Sequence, residues 1–122
     1  NVFNAVDIKK LGINNVLKKI KKITKKPIYL SVDMDVVDPA FAPGVDTPVP
    51  GGLTSNELIY LCKEIAKLGL IGFDIMEVSP KYDIQNRTSH LASKLIIEII
   101  SSLKWVKHNI FKKINTLKYK KR

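Results

Sequence analysis

An α/β fold, with a mainly parallel sheet in a three-layer α/β/α arrangement, is the expectation from this chain, and three features carry it. Two short apolar runs, "IYLSV" (Ile28 to Val32) and "LIGFDIM" (Leu70 to Met76), have strand length and read as strands buried in a parallel sheet. Segments with helical spacing precede, separate and follow them, and helices alternating with buried strands place a sheet inside and helices outside. At 122 residues, 45% of them hydrophobic, the chain has the size and composition of one core, hence one domain or part of one.

Each element has its own warrant. Ile13, Val16, Leu17, Ile20 and Ile23 recur at helical spacing with Lys18, Lys19, Lys21 and Lys22 opposite, predicting an amphipathic surface helix over 13–24. Pro27 stops it, and the first apolar run then leads into Asp33. The loop over 36–52 contains Pro39, Pro43, Pro48 and Pro50. It is longer than the ~12 to 15 residues usual for a structureless connection, which favours a functional loop, and the prolines lower the entropy lost in fixing it. Thr54 and Glu57 form a T-x-x-E capping box for a second helix, with Leu58, Leu61, Cys62, Ile65 and Leu68 on its apolar face and Gly69 at its end. The second strand ends at Glu77. Leu91, Leu95, Ile96, Ile99, Ile100 and Leu103 mark one side of a third helix. In the basic tail, 104–122, Val106, Ile110, Ile114 and Leu117 fit either a continuation of that helix or a frayed terminus.

The net charge of +10 is unevenly distributed. Residues 1–26 hold eight lysines and one acid, and 104–122 hold seven lysines, Arg122 and no acid, whereas 27–103 carry ten acids against five basic residues. An acidic centre suits a metal or a cationic substrate. The basic residues are nearly all lysine, while base and phosphate recognition favours the arginine fork, so a nucleic-acid partner is not expected. No apolar run approaches the ~18 to 20 residues needed to cross a bilayer, so no membrane partner is expected. Cys62 is the only cysteine, which excludes an internal disulfide and suggests a reducing compartment, the cytoplasm. The chain opens on Asn1 rather than Met, which suggests a piece of a longer protein.

The acids of the centre converge. Ligands of open α/β sheets bind at the carboxyl ends of strands, and Asp33 and Glu77 each stand at such an end. Two residues apart on a strand, Asp33 and Asp35 are expected to share a face with Cα atoms roughly 7 Å apart, able to hold or bridge hard cations. A bare D-x-D also fits an exposed strand end or an Asx turn, but here it follows a buried strand and precedes the long loop. Asp38, before Pro39, is expected to form a turn rather than bind metal. Asp74 falls on the other strand face from Glu77 and is assigned a buried structural hydrogen bond.

"SVDMDVVDPAFAPGVDTPVPGG" (Ser31 to Gly52), with "GFDIMEVSP" (Gly72 to Pro80), strongly resembles the ureohydrolase family of arginases, agmatinases, guanidinobutyrases and formimidoylglutamases. "VDIKKLGINNVLKKI" is similar to the helix that precedes this signature in the family, so the resemblance covers nearly the whole chain. It implies an arginase-like fold of which residues 1–122 are the C-terminal part. It also implies that Asp33 and Asp35 ligate a binuclear manganese (Mn2+) centre that activates water against a guanidinium carbon, with Asp35 catalytic, releasing urea and an amine. Glu77 matches the catalytic glutamate that pairs with the substrate guanidinium, and Thr47 matches a loop threonine beside the substrate. A small guanidino substrate and a homo-oligomer are the implied partners.

The match has gaps. The family's other metal ligands, two histidines and two aspartates from earlier segments, have no counterpart here, and His90 and His108 lack neighbouring aspartates. The 122 residues alone are therefore expected to be inactive. Asp46 stands where many relatives have a small residue; it favours a more cationic substrate or simply faces solvent. "EVSPKYD" resembles agmatinases and "YDIQNRTSHLA" is similar to formimidoylglutamases. Agmatine is the expected substrate, giving putrescine and urea, with arginase or formimidoylglutamase activity as the alternative. Cys62 is given a packing role. Two non-enzymatic readings stay open: an inactive paralogue kept for assembly, and a basic binding module built on the lysine-rich ends.

Overall fold

The structure is a computed structural model and describes residues 1–103. Its elements are α1 (Ala5–Leu11), α2 (Ile13–Ile23), β1 (Ile28–Asp33), α3 (Ser55–Ala66), β2 (Leu70–Met76) and α4 (Arg87–Ser102), with 3-10 turns at Met34–Val36, Pro80–Tyr82 and Ile84–Asn86. The basic tail lies outside the described residues.

β1 and β2 pair in parallel, with Ser31 opposite Asp74 and Asp33 opposite Met76. The expected α/β class with a parallel sheet is therefore observed. The strands, however, are covered on one face only among the described residues. Ile28, Leu30 and Val32 point to the core while Tyr29, Ser31 and Asp33 are exposed, because "IYLSVD" alternates apolar and polar side chains from Leu30 onward. Helices α2, α3 and α4 supply the packing partners: Val16, Leu17, Leu58, Leu61, Leu95 and Ile99 form one cluster with Val32. Each large side chain so buried stabilises the fold by about 1.5–3 kcal/mol relative to exposure.

The expected helices are present, with two refinements. An additional helix, α1, precedes Gly12; Asn4 and Asp7 cap it reciprocally through Asp7 N to Asn4 Oδ1 at 2.9 Å and Asn4 N to Asp7 Oδ2 at 3.2 Å. The Thr54/Glu57 capping box forms as the sequence predicts, with Thr54 N donating to Glu57 Oε2 at 2.8 Å and Glu57 N to Thr54 Oγ1 at 3.2 Å. On α4 the buried stripe is narrower than the apolar pattern: Leu91, Leu95 and Ile99 are buried, but Ile96 and Ile100 are exposed. Those two lie one residue, hence 100°, past the buried line. Ion pairs join the helices at their rims, Lys21 to Glu64 at 3.1 Å between α2 and α3, and Lys63 to Glu98 between α3 and α4.

Candidate functional site

The chain leaves β1 by turning sharply. Asp33 is still extended, with ψ 122°, and its Oδ1 accepts the backbone N–H of Asp35 at 2.9 Å, which caps the 3-10 turn at Met34–Val36. Met34 is fully buried beneath this turn and anchors it. Strand spacing therefore does not govern Asp33 and Asp35, contrary to the expectation of two side chains on one strand face. A helical turn holds them together instead, with Asp33 serving as the cap of the segment that carries Asp35.

Thr47 reaches across from the long loop, and its hydroxyl donates to Asp35 Oδ2. The other oxygen, Asp35 Oδ1, is buried and has no hydrogen-bond partner among the described residues. A buried acceptor left unmatched costs about 1–3 kcal/mol, and more on a charged group, so the position favours a donor or a cation. On β2, Glu77 follows Met76, the register partner of Asp33, so it lies at the same edge of the sheet. Its side chain is exposed and its backbone has φ +64°, the left-handed region. A non-glycine residue there carries strain of about 1–3 kcal/mol, and such strain concentrates at functional positions. Asp33, Asp35 and Thr47 are thus joined by hydrogen bonds, and Glu77 joins them by register.

The loop is fixed at both ends. Asp38 Oδ1 accepts from Ala40 N at 2.9 Å and its Oδ2 from Gly51 N at 2.7 Å, holding its carboxyl below the usual range. Asp38 is a turn former, and it also ties the loop's beginning to its end. Leu53 N donates to Val36 O at 2.8 Å and Asp38 N to Leu53 O at 2.9 Å, closing the base. A Cβ on Gly52 would lie 2.6 Å from Val36 O, so only glycine passes there. Val37, Ala42 and Val45 are buried, which makes the loop part of the core rather than a solvated strap.

A second anchor was not legible in the sequence. Asp83 is buried and accepts from Thr88 N at 2.8 Å, Ser89 N at 2.8 Å and the Ser89 hydroxyl at 2.7 Å. It caps α4 from four residues before the helix, because Asn86, the residue at the cap position, is left-handed and makes no side-chain cap bond. Gly44 N donates to Thr88 Oγ1 at 2.7 Å, Ser79 N donates to Gly44 O at 2.8 Å, and Arg87 Nη2 donates to Ala40 O at 2.7 Å. The loop bearing Thr47 and the segment after Glu77 are therefore locked to one helix terminus. The usual signal, a capping residue directly before the apolar stripe, is absent here.

The remaining singled-out residues take simpler places. Asp74 accepts the Ser31 hydroxyl at 2.8 Å, on the uncovered sheet face rather than in the core as expected, and its hydrogen bond raises the Tyr29 phenol above its ordinary value. His90 is exposed and Asp46 is exposed. Cys62 is buried, and burial raises its thiol pKa to about 11. His108 lies outside the described residues.

Among the described residues no group of three or more His, Cys, Asp or Glu could hold a metal ion. The two strand-end aspartates still offer hard oxygen donors of the kind that suit Mn2+, and the orphaned Asp35 Oδ1 fits a cation at that point. No helix among the described residues is long and apolar enough to cross a membrane.

Comparison with known proteins gives consistent results. The sequence model described as Arginase family matches residues 1–101. The chain is 46% identical over 100 residues to a proclavaminate amidinohydrolase of Streptomyces clavuligerus, an alignment spanning 81% of this chain and 32% of that protein. It is 40% identical over 100 residues to an agmatinase of Salmonella paratyphi B, spanning 81% of this chain and 33% of that one. A solved structure described as a hypothetical agmatinase from Burkholderia thailandensis superposes with a TM-score of 0.81 at 33% identity, covering 90% of this chain and 35% of the other. The chain thus spans about a third of the length of the curated relatives it matches.

Proposed function

The chain belongs to the arginase family, and from that premise we propose that it is the C-terminal part of a ureohydrolase domain that hydrolyses a guanidino C–N bond and releases urea. Agmatine is the proposed substrate, giving putrescine; arginine or formimidoylglutamate hydrolysis is the alternative, and guanidino or amidine cleavage is common to all three. The observation that carries the reading is Asp35, held by Thr47 at the carboxyl end of β1 with one buried carboxylate oxygen unpartnered.

Asp33 and Asp35 would hold a manganese pair together with ligands from sequence outside this chain. When bound, the metals supply a water activated for attack at neutral pH. Asp33 orients Asp35 by accepting its backbone N–H. Thr47 occupies Asp35 Oδ2, which leaves Oδ1 as the free donor. Glu77 at the end of β2 pairs with the substrate guanidinium and orients its carbon, in a strained backbone conformation that fixes its direction. The prolines and the Asp38 clasp keep Thr47 in place without further ordering on binding. A cytoplasmic, homo-oligomeric enzyme belongs to the same proposal.

The test is Asp35→Ala in the full-length protein. Urea release from agmatine should be abolished and manganese binding, followed by calorimetry, should weaken. Urea release at the wild-type rate would overturn the assignment.

A further inference from the structure

Glu77 keeps a left-handed backbone, φ +64°, and a non-glycine residue stays there only where the chain on both sides of it is fixed. On one side is β2, whose Met76 is in register with Asp33. On the other is Ser79, two residues on, whose N–H donates to Gly44 O at 2.8 Å. Gly44 is buried, and its own N–H donates to Thr88 Oγ1 at 2.7 Å. Both polar groups of Gly44 are therefore engaged, one with the segment that carries Glu77 and one with α4. Thr88 is fully buried, and its hydroxyl is among the groups that lower the Asp83 carboxyl, so its proton also has an acceptor. The Asp83 side chain closes the remaining space around Gly44: a Cβ there would lie 2.5 Å from Asp83 Cβ, which leaves the backbone little room to shift. Asp33 and Asp35 are held differently, by the Asp35 N–H on Asp33 Oδ1 at 2.9 Å and by the buried Met34.

We propose that Thr88 is a positioning residue for Glu77: its hydroxyl holds Gly44, Gly44 holds Ser79, and the Ser79 bond keeps Glu77 left-handed and so sets the direction of its carboxylate. The inference rests on the ureohydrolase reading and deepens it, since Glu77 is the group that pairs with the guanidinium there. Thr88→Val keeps the shape of the side chain but removes the acceptor, leaving the buried Gly44 N–H unmatched. Thr88→Ser keeps the hydroxyl and loses only a methyl.

The experiment uses the full-length protein and three readouts: hydrogen exchange at Gly44 and Ser79 followed by mass spectrometry, manganese binding by calorimetry, and kcat/KM per metal-loaded molecule on whichever of agmatine, arginine and formimidoylglutamate it hydrolyses. In Thr88→Val the two amides should exchange roughly tenfold faster or more. A displaced Glu77 should lower kcat/KM by about 10- to 100-fold. Manganese affinity should stay within about twofold, because Asp33 and Asp35 have their own local support. Thr88→Ser should restore most of both losses, whereas a purely structural role would leave kcat/KM of the folded, metal-loaded protein unchanged in either variant. Should Thr88→Val fail to fold, Thr88→Ala against Thr88→Ser makes the same comparison of side chains without and with the hydroxyl. Unchanged exchange at both amides, faster exchange with wild-type kcat/KM, or a loss of manganese affinity parallel to the loss of activity would each overturn the role of Thr88. Faster exchange in Thr88→Val while even the wild type hydrolyses none of the three substrates would keep the Thr88 clamp on the Glu77 backbone and overturn the reaction instead.

Discussion

Replacing Asp83 by alanine tests whether the hidden anchor holds the site. Its carboxylate accepts two backbone N–H groups, from Thr88 and Ser89, and the Ser89 hydroxyl, all at 2.7–2.8 Å. Thr88 is fully buried, so its amide has no water to turn to. An orphaned buried donor costs about 1–3 kcal/mol and a lost helix cap about 0.5–2 kcal/mol. Ser89 is only half-buried and recovers part of its loss from water, so Asp83→Ala should destabilise by about 2–4 kcal/mol in all. That is a large share of the ~5–15 kcal/mol typical of a folded protein. The dependence on pH follows from the same geometry. Burial pushes the Asp83 carboxyl up, but the hydrogen bonds from Ser89 and Thr88 together outweigh it and hold it below the ordinary 3.8. A depressed carboxyl contributes stability that is fully present above the unfolded value and fades as pH falls through the lower folded one. Equilibrium denaturation of the full-length protein at pH 7 and again below pH 3.8 provides the assay, and the gap between wild type and Asp83→Ala should narrow in acid. A loss under 0.5 kcal/mol at pH 7, or a gap that stays constant with pH, would refute the anchoring role.

Two further expectations are independent of that one. In Gly44→Ala the new Cβ would lie 2.5 Å from Asp83 Cβ and 2.7 Å from its Cα, so overpacking should cost about 1–3 kcal/mol; a denaturation midpoint equal to wild type would exclude the tight approach. Cys62, buried and with a thiol pKa of about 11, should resist alkylation at pH 8 in the native protein and react fully in denaturant, as mass spectrometry can follow.

The local features were legible because each depends on residues close in the chain. Apolar runs located β1 and β2, the T-x-x-E box located the start of α3, and adjacency alone put Asp33 at the end of β1 and Asp35 and Glu77 just beyond the ends of β1 and β2. The signature around them was long enough to reveal the family, and the matched family confirms that. Periodicity went too far on α4, where Ile96 and Ile100 share the apolar pattern but not the burial. An amphipathic stripe records which residues tolerate burial, not how wide the neighbouring surface is.

Tertiary structure alone decided how the acids are held. The Thr47 contact to Asp35 spans 12 residues and the Gly44 contact to Thr88 spans 44, and neither distance carries a sequence signal. It also decided that Asp35 follows a 3-10 turn rather than the strand, that Glu77 has a left-handed backbone, and that one sheet face is uncovered among the described residues. The physical reason is the same in each case. Propensity and spacing act over one or two turns of chain, whereas the path of a proline-stiffened loop is fixed by which buried donors and acceptors must find each other when the helices close over the sheet.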